Sequence, residues 1–409
     1  MALDNSTAQY VFKTLYSDGF DPKSLVRKKP LLQWCEHKTD FTSARGMEIP
    51  APYVNPQGIG ATNAAASSNE VSGKGVTFLL PQRSVYGFGA INGSVVRNAV
   101  NGNDDSQFIN AMEREVDGAT ESIAVELHQR MYGTNTGIRA YLSGTAAITT
   151  TTWTFANVED VQFFEPGMKV VLVNPATGAA RVGSAVTVTS VDPDAGTMVC
   201  SGNPNSFTSA AAGDGIARDS MVGADLDGLS AWCPTTVSGS DSFLGVNRSV
   251  YRSRLAGVYS DISNDPIRSG FIKAIAKAEQ QVGTMFDADS PFFIHPKNLA
   301  QIMQSVEQAK IVHQELDDKF GIGLKAVKIM DWTFVRDAMC PVNTAYLVGE
   351  DAFIRASCGS QPKLDDSGGN EFFMNFRTGV LEFVLVHDGN CGSPAPYNIL
   401  RCSLPTTAL

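Results

Sequence analysis

The stretch from Met47 to Tyr132 constrains this chain most, because it joins a long two-stranded arm to one long amphipathic helix. Residues 47–56 (MEIPAPYVNP) and 74–96 (KGVTFLLPQRSVYGFGAINGSVV) have extended character. Between them, IGATNAAASSNEVSG is small and polar, with nothing to bury. A tip that buries no apolar area costs ordering entropy and returns little to its own domain. It suits a subunit that must reach over a neighbour.

The helix follows directly. Asp104 or Asp105 is placed to cap its start. Phe108, Met112, Val116, Ala119, Ile123, Leu127 and Met131 recur at steps of four and three, which predicts one apolar stripe. Gly133 predicts its end. At ~1.5 Å per residue such a helix spans roughly 40 Å.

A chain of 409 residues predicts two or three domains. With 43% hydrophobic and 18% charged residues, it has apolar material for sizeable cores. Helical segments are few and long among stretches rich in Gly, Thr, Ser and Val, so mixed α and β structure is expected. The opening MALDNSTAQY has neither a basic nor an apolar run, which predicts no secretory leader, and no later segment approaches a membrane span. Seven scattered cysteines (35, 200, 233, 340, 358, 391, 402) without a CxxC predict reduced thiols made in a cytoplasm. The N-x-S/T matches at Asn5, Asn92 and Asn247 are then chance. A net charge of −10 argues against gripping nucleic acid as the main task, though it suits the wall of a container.

Residues 1–45 lack a sustained period, and the segment is either a solvated linker or an N-terminal arm. Its basic run Arg27, Lys28 and Lys29 is either a solvated linker or a patch facing other subunits or an interior anion. The extended arm takes 47–97, and the long helix lies in 98–144. Residues 145–220 change character: MKVVLVNP, AVTVTSVDP and GTMVCSG predict strands, and Asn174-Pro175 and Asp192-Pro193 open turns. This predicts a small antiparallel β domain inserted into the chain. In 221–263, Arg248, Arg252 and Arg254 are either an inter-subunit or DNA-facing patch or ordinary surface charge. Residues 264–370 alternate helix and strand as a compact domain, with a helix starting at Asp265-Pro266. Residues 371–409 close with EFFMNFRTGVLEFVLVHDG, one or two strands, and a final strand in PAPYNILRCSL.

The motifs of catalysis are missing. The histidines 37, 128, 295, 313 and 387 have no metal spacing. No GxSxG occurs. Gly73-Lys74-Gly75 lacks the rest of a phosphate loop, and Gly87-Phe88-Gly89 with Gly93 misses the dinucleotide spacing by one. No cofactor, metal or enzymatic activity is expected.

The order of parts resembles the major capsid proteins of tailed bacteriophages with the Hong Kong 97-type fold. NDPIRSGFIKAIAKA, FFIHPKNLAQIMQS and CPVNTAYLVGEDAFIRAS resemble that family's axial domain, and NFRTGVLEFVLVHDG resembles its late peripheral strand. The resemblance covers most of the chain outside 145–220. It implies an α+β fold built of N-arm (1–46), E-loop (47–97), spine helix and peripheral domain (98–144 and 221–263), axial domain (264–370) and a peripheral return (371–409). It implies a structural subunit that self-assembles into hexamers and pentamers of an icosahedral shell around double-stranded DNA. The implied partners are other copies, a scaffolding protein, a portal, a decoration protein and non-specifically held DNA; no membrane is implied. The implied location is the virion, after assembly in a host cytoplasm. The chain departs from the family in its inserted β domain and in lacking a long charged N-terminal scaffolding region.

Some members of that family join their E-loop to a neighbour's peripheral domain by a Lys–Asn isopeptide bond assisted by a Glu. Lys74, Asn375 and Glu382 resemble that set. In one unbroken strand, residues 375 and 382 point to opposite faces, so a bend is required, and Gly379 is placed for it. Three other readings stand beside the phage shell: an encapsulin-like compartment shell, a two-domain α/β enzyme with a β-rich substrate domain, and a β-rich tail or adhesin subunit.

Overall fold

The computed structural model describes residues 29–41, 46–92, 105–144, 150–237, 239, 241–283, 286, 290–308, 326–329, 332–360, 362–365, 372–375 and 379–406. They divide into two compact units. The smaller gathers Met1–Met47, Pro81–His128 and Arg355–Asn390, and the larger gathers Glu48–Leu80, Gln129–Ile354 and Cys391–Leu409.

The smaller unit is a six-stranded sheet with a helix on one face. Its central strand is Val380–Gly392. Along one edge this strand pairs antiparallel with Arg83–Asn92, from Val380↔Asn92 to Gly389↔Arg83. Its other neighbours are Phe372–Asn375, Lys363–Leu364 and Ile354–Ser357, the last leading to Glu36–Lys38. The helix Asp105–Arg130 supplies the predicted stripe, with Val116, Ile123 and Leu127 buried. Phe108 and Met112 lie outside the described side chains. Two glycines make this packing possible. A Cβ on Gly87 would overlap the Ile123 side chain, and one on Gly89 would overlap the Phe383 ring. The Gly-Phe-Gly run therefore serves close packing of strand, ring and helix.

The larger unit holds two further six-stranded sheets. One is mixed, in the order Val258–Asp261, Ile399–Ser403, Thr344–Val348, Pro291–Ile294, Trp332–Arg336, Ala326–Ile329. Its outer pair Val258–Asp261 and Ile399–Ser403 is parallel, as is Pro291–Ile294 with Trp332–Arg336. The helices Ile267–Val282 and Pro296–Gln308 flank it. Phe271, Phe292 and Phe334 meet at the centre of this core, with ring centroids 5.0–5.2 Å apart. The long helix of the pair ends at Gly283, whose φ of +76° is a left-handed cap that glycine tolerates best.

The other sheet is wholly antiparallel: Ile138–Tyr141, Gly215–Arg218, Lys169–Val173, Val186–Asp192, Thr197–Cys200, Thr152–Thr154. It has its own core around Trp153, Phe155, Phe164, Leu172 and Phe207. The expected turn at Asp192 is present; its Oδ1 accepts from the amides of Asp194 and Ala195, both at 3.0 Å. A ribbon of Met47–Val54 and Lys74–Leu80 completes the unit.

Three expected boundaries move. The β-rich segment begins at Ile138, because that strand is the partner of Gly215–Arg218. The AFIRAS strand, expected in the 264–370 domain, pairs in the smaller unit's sheet. The final strand Ile399–Ser403, expected in the closing domain, lies between Val258–Asp261 and Thr344–Val348. Strand order depends on partners far away in sequence, which local pattern does not report.

Candidate functional site

The ribbon carries an ordered tip that buries none of its own residues. Its short helix Asn63–Ser68 is capped by Thr62, whose Oγ1 accepts from the Ala65 amide at 3.2 Å. The Asn69 Nδ2 donates to the Ile59 carbonyl at 3.1 Å and ties the tip to itself. Ile59 is 78% exposed and Val71 47% exposed. Lys74 opens the returning strand and is exposed.

In the smaller unit, Asn375 and Glu382 stand on two antiparallel strands, not on one. The chain reverses between them, and Gly379 in the turn has φ +66°. Phe373 faces Glu382, and Asn375 faces Val380. Side chains alternate along a strand and opposed residues share a face. Phe373, Asn375, Glu382, Val384, Phe88 and Tyr86 therefore line one face of the sheet. Tyr86 and Phe88 are each 63% exposed there, and Phe373 39%. The Asn375 amide donates to Glu382 Oε1 at 3.0 Å. The family resemblance brought Asn375 and Glu382 to notice, but the reading of the sequence missed the aromatic face beside them. Alternation in SVYGFGAI was the signal available.

The basic residues sort differently from expectation. Arg27 and Lys28 lie outside the described residues. Lys29 is buried, with its Nζ 2.8 Å from Glu121 Oε1 on the long helix. It is thus held by an ion pair within the subunit, with Glu121 itself exposed. Arg248 is also withdrawn from the expected patch. It is 4% exposed, pairs with Asp241 at 2.7 Å and donates to the Ala231 carbonyl at 2.8 Å. Its guanidinium lies 4.3 Å from the Phe243 ring centre. A planar cation with a carboxylate, a carbonyl and a ring around it is satisfied inside the fold. Arg252 stays exposed, and Arg254 lies over the Tyr397 ring at 5.0 Å.

A buried polar cluster in the larger unit was not anticipated. Arg130 Nε lies 3.2 Å from Asp225 Oδ1, with side chains 2% and 9% exposed. Burial pushes Arg130 down and Asp225 up, and each opposes the shift in the other. Burial also brings Arg139 down to about 10, against the pull of Asp225. Nearby, Tyr132 donates to Asp337 Oδ2 at 2.6 Å, and Ser230 donates to the Tyr132 carbonyl at 2.6 Å. The two aspartates of ADLDG sit among Leu226, Leu229 and Trp232, a pattern that could have suggested burial. The cluster's guanidinium and carboxylate charges face one another inside the unit.

His295 is buried, and its Nδ1 accepts from the Lys297 amide at 3.2 Å, a helix-start role. Among the described residues, no group of three or more His, Cys, Asp or Glu could hold a metal ion. No described helix is long and apolar enough to cross a membrane.

No protein-family model matches the chain, and comparison with curated proteins finds no match. Among solved structures, the chain is similar to a chain of the cyanophage A-1(L) capsid asymmetric unit. The TM-score is 0.55 at 12% identity, covering 93% of each chain. It is also similar to a chain of the native GTA particle capsid (TM-score 0.47, 8% identity, 92% of this chain and 90% of that one). A third similar structure is the holo-SrpI encapsulin complex from Synechococcus elongatus PCC 7942 (TM-score 0.42, 6% identity, 92% and 88%). The first of these shows the fold: the chain is built as a phage capsid chain is built.

Proposed function

We infer that this chain is a structural shell subunit of a tailed-phage capsid, of the Hong Kong 97 type, and not an enzyme. The observation that carries this is the ribbon tip, ordered by its own hydrogen bonds yet burying nothing and exposing Ile59 and Val71. Within one subunit such a tip gains almost nothing; laid on a second copy it adds to an interface that needs ~800 Å² per partner. The capsid fold supports the same reading. In it, 47–97 is the E-loop, the long helix the spine, and 138–218 an inserted β domain. The subunit forms hexamers and pentamers around DNA in the virion, after assembly in the host cytoplasm. A scaffolding protein, a portal and a decoration protein are its further partners.

Electron microscopy of the purified chain tests this. Rings or shells are expected, and removing residues 58–73 should leave a folded subunit with impaired lattices. A small monodisperse species with turnover would favour the enzyme. Shells filled with protein cargo in place of DNA would favour the compartment.

The hydrogen bond from Asn375 to Glu382 favours one addition. Lys74 of one copy attacks the Asn375 side-chain carbonyl of another. The amine passes a proton to the Glu382 carboxylate, Glu382 hands it on to the departing Asn375 nitrogen, the new amide forms, and ammonia leaves.

A further inference from the structure

The root of the ribbon, unlike its tip, is gripped on several sides within the larger unit. Ile49, Ala51, Phe78 and Leu80 are buried, whereas no residue from Pro52 to Thr77 is. Phe78 meets Trp232 edge-on at 5.0 Å and Phe243 at 6.4 Å. Phe243 belongs to a small hairpin, Ser242–Phe243 with Val246–Asn247, that turns through Leu244 and Gly245. Both turn residues have positive φ, +49° and +83°. Glycine adopts that backbone freely and leucine does not. The strained Leu244 carbonyl accepts the Leu79 amide at 3.3 Å, so the hairpin is bonded to the ribbon strand. Arg248 pins the other end of the hairpin through Asp241, the Ala231 carbonyl and the Phe243 ring. On the far side, Gly392 makes room for Ile49, which a Cβ there would overlap. Tyr53 and Tyr251 are the last ring contact outward, at 6.5 Å.

We propose that this clamp aims the ribbon: the 241–248 hairpin, pinned by Arg248, fixes the direction in which the ribbon leaves its unit, and bending occurs only outward of Tyr53 and Val76. The arm is then preset by its own subunit before any neighbour meets it. Presetting removes part of the ordering cost of docking. Its use in assembly rests on the shell reading; the clamp itself does not.

Amide exchange of the soluble, unassembled subunit tests it. In Arg248→Met, the amides of Ile49, Ala51 and Phe78–Leu80 are expected to exchange at least ~10-fold faster. Those of Lys169–Val173 should stay unchanged. Unchanged exchange at the root in a folded Arg248→Met protein overturns the proposal. If that variant loosens everywhere, Phe243→Leu decides instead: selective loss at the root supports the clamp, and an unaffected root overturns it. Under assembling conditions, either variant should give particles of broader size range than the parent. Absence of any particles from the parent chain would count against the shell reading, while the exchange result still judges the clamp.

Discussion

The Asn375 amide reaches Glu382 Oε1 at 3.0 Å across a hairpin that turns at Gly379. The two residues that the family resemblance singled out thus share one sheet face, because the chain reverses between them. If the isopeptide reading holds, mature particles boiled in detergent should run as a ladder of covalent multimers. Lys74→Arg should abolish the ladder, since a guanidinium is not a nucleophile at neutral pH. Glu382→Gln should slow its appearance ~10²-fold or more, the usual worth of a positioned base. A single band at monomer mass would end the idea.

The Arg130–Asp225 pair should be costly to break. Both side chains are nearly inaccessible, and Arg139 stands close enough to feel the same carboxylate. Asp225→Ala leaves buried guanidinium charge without its anion. Such losses cost about 3–5 kcal/mol. Denaturant unfolding should show the midpoint fall accordingly. A loss below about 1 kcal/mol would mean that water or another acid replaces the partner.

How legible this fold is depends on the range of the forces involved. The long helix can be read because Val116, Ile123 and Leu127 follow a local period. The turn at Asp192 can be read because its side chain bonds amides two and three residues on. The interior charges cannot. Lys29 finds Glu121 at 92 positions' distance, so composition alone assigns it to the surface. Arg248 is hidden for the same reason: its neighbourhood of Asp241, Ala231 and Phe243 exists only after the hairpin has folded. The aromatic face of Tyr86 and Phe88 lies between these cases. Its alternation is local, but which side stays open is decided by where the helix packs.

Asp160 should make stability depend on pH. It is 6% exposed, and burial raises its carboxyl to about 6, against the Asn157 amide donating at 3.1 Å. Its unfolded value is about 3.9. The folded state therefore binds the proton more tightly. The stabilisation is complete below about pH 4 and is lost as pH rises through about 6. Asp160→Asn should be more stable than the parent at pH 7 by on the order of 2–3 kcal/mol, and the gain should vanish near pH 4. Urea unfolding of both proteins across that range would measure it. A difference constant with pH would show that Asp160 does not titrate there.

The antiparallel sheet of 138–218 should be removable as a piece, provided that the cut respects its first strand. A Cβ on Gly137 would lie 2.8 Å from the Met221 carbonyl, so the two ends of the piece nearly touch. Chain ends this close allow a short linker. The sheet also rests on a foot: Glu159 pairs with Lys297 at 2.7 Å, and Gln162 donates to the Ala338 carbonyl at 2.8 Å. Glu159 is 26% exposed and Lys297 43%, so the pair is solvent-screened and its loss should be small. Replacing 138–220 by a Gly/Ser linker should leave a soluble protein with one cooperative thermal transition, lowered because Arg139, which also faces Asp225, leaves with the piece. Replacing only 145–220 should do worse, because Ile138–Tyr141 then loses its partner Gly215–Arg218 and stands as a bare edge. Equal behaviour of the two excisions would mean that this strand does not need the sheet, and aggregation of both would mean that the piece is part of the subunit's core.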